Sequence, residues 1–218
     1  MNILTTKDLV FQNMIYYPDI ALPKGSMTFL QGPSGCGKST LFRLFNGTLD
    51  PSQGSIYFEG TDIATMDTLA LRRKVLLVNQ QVFLFDGSIE DNFKQFHAYR
   101  NTLAPDEKAM NMYLHIAATP FTTKQEVKRL SGGERQRVFN AIMLSFDADL
   151  YMWDEPSAAL DTPTAITFFS RMKAYMNKLG KTTLVISHDD NLYPQFNDQL
   201  IVLEGRYDVT ETTEAYHD

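Results

Sequence analysis

The chain has 218 residues, 44% of them hydrophobic, enough to bury one substantial core divided at most into two lobes. Its formal net charge of −6 argues against nucleic acid as the partner, because that binding relies on clustered Lys and Arg. The single cysteine, Cys36, excludes an intramolecular disulfide, and no uninterrupted apolar run reaches the roughly 18 residues that span a bilayer.

The start, Met1-Asn2-Ile3-Leu4-Thr5-Thr6, lacks the charged and apolar regions of a signal peptide, so a role at a membrane is expected to come through a separate chain. Residues 26–31 read as a short apolar strand. It feeds Gly32-Pro33-Ser34-Gly35-Cys36-Gly37-Lys38-Ser39-Thr40, which fits the pattern G-x-x-x-x-G-K-[ST]. In such a cradle glycines let backbone N–H groups approach the phosphates, Lys38 reaches the outer ones and the Ser39 hydroxyl holds Mg²⁺. Residues 38–45 form the helix whose positive N-terminal end faces those phosphates. Cys36 sits at a variable position of the pattern and reads as a small filler.

Residues 54–60, bounded by glycines, predict a hairpin strand, followed by a helix over 68–74 and a buried strand over 75–79. Strand runs disappear between residues 88 and 128, where 106–118 carries apolar residues at helical spacing, predicting a helical lobe. The α/β alternation resumes with a helix over 134–144, a strand over 150–153, a helix over 164–179 and strands over 183–187 and 199–203. Glu204-Gly205-Arg206 reads as a turn before a short tail.

Trp153-Asp154-Glu155-Pro156 follows an apolar run, so Asp154 falls at the carboxyl end of a strand, where α/β sheets bind ligands. There Asp154 is suited to hold Mg²⁺, directly or through water. Glu155, next along, is suited to polarise an attacking water as general base. His188, directly after an apolar strand and before Asp189-Asp190, reads either as a capping or core histidine or as a ligand contact. His97, His115 and His217 show no ligand-like spacing, and no zinc site is expected. Of the adjacent Phe83, Leu84 and Phe85, not all can point inward from an extended segment.

Taken with Leu130-Ser131-Gly132-Gly133-Glu134 and Leu184-Val185-Ile186-Ser187-His188, in that order along the chain, these motifs resemble the ATP-binding subunit of ABC transporters over about residues 7–206. The resemblance implies an α/β fold, a P-loop NTPase of ABC ATPase type with a mixed β-sheet core, flanking helices, an antiparallel β subdomain and an inserted helical lobe. It implies one domain, residues 1–218, with the α/β core at about 1–87 and 132–218 and the lobe at about 88–131. It further implies two ATP molecules, each with Mg²⁺, held between two head-to-tail subunits, expected to be a homodimer.

On this resemblance Glu155 is the base and His188 contacts the γ-phosphate. Counting back from Leu84-Phe85 makes Gln80, rather than Gln81, the residue that contacts Mg²⁺ and the water. Ser131, Gly132 and Gly133 clasp ATP held by the opposite subunit, whose site Asp161 supports. One or two of Phe83, Leu84 and Phe85 line a groove for a membrane-spanning partner, with the chain peripheral on the cytoplasmic face of the membrane. The family's adenine-stacking position falls on Asn13, leaving Phe11, Tyr16 or Tyr17 to substitute; Ile142 replaces a usual arginine as a packing change. The run 84–92 reads like the exporter version of its region, which tilts the expectation towards export. The alternatives are a soluble ABC-type ATPase serving a non-transport machine, a P-loop kinase and a regulator without turnover.

Overall fold

The computed structural model describes residues 1–189 and 192–204 and the backbone of Arg206–Tyr207. Asp190, the turn residue Gly205 and His217 lie outside the described residues.

Strands β1 (Asn2–Phe11), β2 (Ile15–Tyr16), β3 (Ala21–Pro23), β5 (Gln53–Phe58), β6 (Thr61–Asp62) and β11 (Arg206–Tyr207) form one antiparallel sheet. Strands β4 (Met27–Gln31), β7 (Val75–Val78), β8 (Leu150–Asp154), β9 (Thr182–Ile186) and β10 (Gln199–Val202) form a second sheet in the order β10-β4-β9-β8-β7, with every pairing parallel. The expected mixture of strand directions is thus divided between two sheets. Helix α1 (Lys38–Phe45) contributes Leu41, Phe42, Leu44 and Phe45 to a core that also takes Ile3, Leu4, Ile56 and Phe58 from the antiparallel sheet and Leu30, Met152, Leu184 and Ile186 from the parallel one. Alternate residues of the same parallel strands, among them Phe29, Val78, Trp153 and Val185, enter a second core with the remaining long helices. Both faces of the sheet at β4, β9, β8 and β7 are therefore covered, which is why these strands read as largely apolar runs, whereas Leu200 and Val202 of the edge strand β10 remain exposed.

Helix α2 (Thr68–Lys74) has the predicted bounds. Between residues 88 and 131 lie α3 (Ile89–Tyr99), α4 (Glu107–Ile116) and a 3₁₀ turn at Val127–Arg129, with no strand. Then come α5 (Gly132–Leu144), α6 (Thr162–Leu179) and the short α7 (Tyr193–Phe196). Helix starts are written in the local sequence: Asp67, Ser88, Asp106, Ser131 and Asp161 each accept a backbone N–H at the N-cap of α2 to α6. Ser88 and Ser131 complete reciprocal capping boxes with Asp91 and Glu134. Helix α6 ends on Gly180 at φ 64°. Among the described residues no helix is long and apolar enough to cross a membrane.

Ile142 is fully buried in the core of the long helices, so the residue is a packing element, as expected. His97 is buried with both ring nitrogens engaged, by Thr102 Oγ1 at 2.8 Å and Ser145 Oγ at 2.9 Å. Within the run 83–85, Leu84 is buried while Phe83 is 58% exposed. Phe83 meets Phe85 edge-on, and Phe85 stacks against Tyr99 and meets Phe96 edge-on. Asn92 pins the backbone of this run: its Oδ1 accepts from Phe85 N at 2.8 Å and its Nδ2 donates to Phe85 O at 3.0 Å and Ser88 O at 2.9 Å. Asn92→Ala removes all three bonds and takes these partners from the half-buried Phe85 N–H and carbonyl, while Ser88 O keeps the Asn92 backbone N–H at 3.1 Å. It is expected to lower unfolding free energy by about 2–3 kcal/mol in urea titration.

Candidate functional site

Strand β4 delivers the chain into the glycine loop, and α1 receives it. Gly32 (φ 153°), Gly35 (φ 81°) and Gly37 (φ 92°) take backbone angles that side chains disfavour. At Gly32 space is also limiting, since a Cβ there would fall 2.5 Å from Leu203 O and 2.8 Å from Cys36 Sγ. Cys36 is buried among apolar neighbours, consistent with a filler. Helix α1 begins with no side-chain cap and no acidic residue in its first turn. Its leading N–H groups and positive end therefore face the loop uncompensated. Lys38 folds back over the loop, its Nζ donating to Gly32 O at 2.8 Å and Pro33 O at 2.9 Å.

The ends of the neighbouring strands bring the acidic groups to this place. Glu155 follows β8 in the left-handed region (φ 52°), its N–H donating to Ile186 O at 3.0 Å. Such a backbone costs about 1 kcal/mol or more and persists only where surroundings impose it. Here they do: Glu155 Oε2 accepts from Gln80 Nε2 at 2.9 Å, and Oε1 lies 3.0 Å from His188 Nε2. Gln80, which follows β7, and His188, which follows β9, thus converge on one carboxylate. A cavity of about 210 Å³ is lined by Ser34, Gly35, Gly37, Lys38, Ser39, Thr40, Glu155 and His188. An adjoining cleft of about 780 Å³ is lined by Ser39, Asp154 and Gln80 and runs out to Phe83.

Two residues of α5 had no role assigned from the sequence, although Gln136 fits the pattern after Leu130–Glu134. Buried Gln136 donates through Nε2 to Glu155 O at 3.1 Å and accepts at Oε1 from Ala159 N at 3.1 Å. Buried Asn140, one turn on, donates to Pro156 O at 2.9 Å. Together they hold the segment that carries Glu155. Their signal was a pair of amides at i, i+4 spacing in an otherwise apolar helix face, a pattern that demands buried partners.

Ser131, Gly132 and Gly133 open α5, and Asp161 opens α6; none of them lines either cavity at the glycine loop. The Glu134 carboxyl is held below its ordinary pKa by hydrogen bonds from the Ser131 backbone and side chain. Asp161 is lowered in the same way by Thr164. Asn13, the expected stacking position, sits in a turn at φ 53° with its N–H donating to Ser52 Oγ at 3.0 Å. Beside Cys36, a cavity of about 260 Å³ is lined instead by Tyr16, Tyr17, Pro18, Val202, Leu203 and Glu204.

A family model described as "ABC transporter" matches residues 18–158. The chain is 31% identical to the achromobactin transport ATP-binding protein CbrD of Dickeya dadantii, over 94% of this chain and 80% of that protein. Among solved structures it is similar to a bacterial Atm1-family ABC exporter with ATP bound, at TM-score 0.81 and 29% identity over 93% of this chain and 37% of that one. It is equally similar to CbiO1 from Clostridium perfringens, part of an ABC transporter complex, at TM-score 0.81 and 27% identity over 94% and 86% of the two chains. Other curated relatives are longer, the chain spanning 49% of one and 30% of another.

Gly133 and Gly132 make a matched pair for testing the contact between α5 and the segment after β8. A Cβ at Gly133 would fall 2.5 Å from Ala159 O, whereas one at Gly132 would meet nothing within 4 Å. Gly132→Ala is expected to raise stability by about 0.5 kcal/mol. Gly133→Ala is expected to lower it by about 1–3 kcal/mol, both read from thermal melts.

Proposed function

The chain belongs to the ABC transporter family, and we propose that it is the ATP-hydrolysing subunit that powers a transporter, working as one ATPase domain with core and lobe bounds near residues 88 and 131. The observation that carries this is the meeting of Gln80, Glu155 and His188 on one carboxylate beside the glycine loop. A phosphoryl-transfer site is built from positioning and electrostatics, and these parts supply both.

The loop Gly32-Pro33-Ser34-Gly35-Cys36-Gly37-Lys38-Ser39-Thr40 and the N-terminus of α1 hold the ATP phosphates, with Lys38 turning from the Gly32 and Pro33 carbonyls to the outer phosphates. Ser39, Asp154 and Gln80 share one cleft. A hydroxyl, one carboxylate and an amide suit Mg²⁺, which is held by one or two carboxylates together with substrate phosphates. Among the described residues no group of three or more His, Cys, Asp or Glu forms an all-protein metal cage. When bound, Mg²⁺ neutralises charge on the β- and γ-phosphates.

Glu155 takes a proton from water as the water oxygen bonds to the γ-phosphorus and the bond to the β-bridging oxygen breaks, giving ADP and phosphate. His188 contacts the γ-phosphate. Each carboxylate oxygen of Glu155 has one partner and a further lone pair, so the water is accepted beside Gln80, whose loop continues directly into Phe83. Docking of a membrane-spanning partner on Phe83 and its aromatic neighbours is the event that moves Gln80. Ser131, Gly132, Gly133 and Asp161 line neither cavity of their own loop, which supports their action on ATP held by a second copy in a head-to-tail homodimer. The chain then lies peripherally on the cytoplasmic face, with export as the favoured direction.

Glu155→Gln is expected to lower steady-state ATP hydrolysis by a factor on the order of 100 or more while an ATP-bound dimer accumulates in size-exclusion chromatography. Turnover at the wild-type rate would remove Glu155 as the base. Phe83→Ala is expected to keep ATP affinity but to reduce co-purification of a multi-span membrane protein from detergent-solubilised membranes. Purification of the wild-type chain with ribosomes or DNA instead would favour a soluble, non-transport machine.

A further inference from the structure

Tyr17 follows β2 in the antiparallel sheet, yet its side chain ends on the phosphate loop of the other layer. The residue is 7% exposed, and its hydroxyl donates to Gly37 O at 3.0 Å. The same carbonyl accepts the Leu41 N–H at 2.8 Å, within the first turn of α1. A Cβ on Gly37 would fall 2.6 Å from the Tyr17 hydroxyl and 3.3 Å from Ile15 Cγ2, so the two side chains form a wall against this glycine.

Gly37, at φ 92°, has no side chain of its own to limit rotation of the peptide that joins it to Lys38. In a trans peptide the carbonyl and the N–H point in opposite directions. Holding the Gly37 carbonyl between Tyr17 and Leu41 therefore aims the Lys38 N–H away from α1, out of its open N-terminal end. That N–H is among the helix amides without an intrahelical acceptor and is available to a phosphate.

We propose that Tyr17 is a positioning residue of the nucleotide site: its hydroxyl, through Gly37 O, sets the direction of the Lys38 amide and so the affinity for the phosphates. This rests on residues 32–40 being the ATP cradle. The two claims separate in one titration. A fluorescent ATP analogue is bound to the wild-type chain with Mg²⁺ and displaced by ATP; absence of wild-type binding would overturn the cradle itself.

With wild-type binding in hand, Tyr17→Phe keeps the ring that fills the site and loses only the hydroxyl. The Kd for ATP is expected to rise about fivefold, with KM rising in parallel and kcat at saturation unchanged. Ile15→Val trims the same wall without touching the hydrogen bond and is expected to stay within about twofold of wild type. Amide hydrogen exchange over residues 35–39 is expected to quicken in Tyr17→Phe alone. An unchanged Kd in Tyr17→Phe, or an equal rise in Ile15→Val, would overturn the proposal, as would unchanged exchange.

Discussion

Parallel pairing of β4, β9, β8 and β7 is the constraint on which the remainder depends. Registers such as Leu30 with Ile186, Asp154 with Ile186 and Val78 with Trp153 bring four strand ends to one edge. The residues next along the chain are then the glycine loop, His188, Glu155 and Gln80. These come from sequence positions spread between residues 32 and 188, yet the strand order alone brings them together. Parallel strands require crossover connections, and the helices that make them supply the second requirement, a cover for both sheet faces.

Rigidity behind the site has a different origin from rigidity within it. The sheet is fastened by apolar burial, but the segment after β8 is fastened by polar side chains of α5, Gln136 and Asn140, reaching its backbone. Since α5 also carries Ser131–Gly133 at its start, the amide pair ties that helix start to the segment after β8. The antiparallel sheet adds a third support, through Tyr17 on Gly37. The glycine loop and the segment after β8 are therefore each held by a side chain from an element remote in sequence.

Legibility in the sequence followed the physics of each element. Strands β4, β7, β8 and β9 were readable because burial on both faces makes them largely apolar runs. Helix α2 was readable because Asp67 caps it and a buried strand follows at once. Strand β1 was not read as ten residues of pairing, for its register shifts between Lys7 and Val10, where Asp8 takes φ 51°. That irregularity resets the two-residue alternation midway. Helix α3 was hidden because two of its inward positions, Asn92 and His97, are polar, and their partners at Phe85, Ser88, Thr102 and Ser145 are knowable only in three dimensions. The phosphate motif and the acidic residues after β8 were legible through fixed local spacing. The contact of Tyr17 with Gly37 was not, because the hydroxyl reaches across layers and no spacing rule links residues 17 and 37.

Trp153 is the chain's single tryptophan, and it occupies the position before Asp154 and Glu155. It is fully buried, stacked on Tyr151 and edge-on to Phe168, and its Nε1 finds no hydrogen-bond partner among the described residues. An indole in so dry a setting emits at short wavelength. The protein thus carries an intrinsic optical label on the strand that ends at its acidic centre, with no competing indole to obscure it. Any rearrangement that lets water reach β8 registers as a red shift in the unmodified chain.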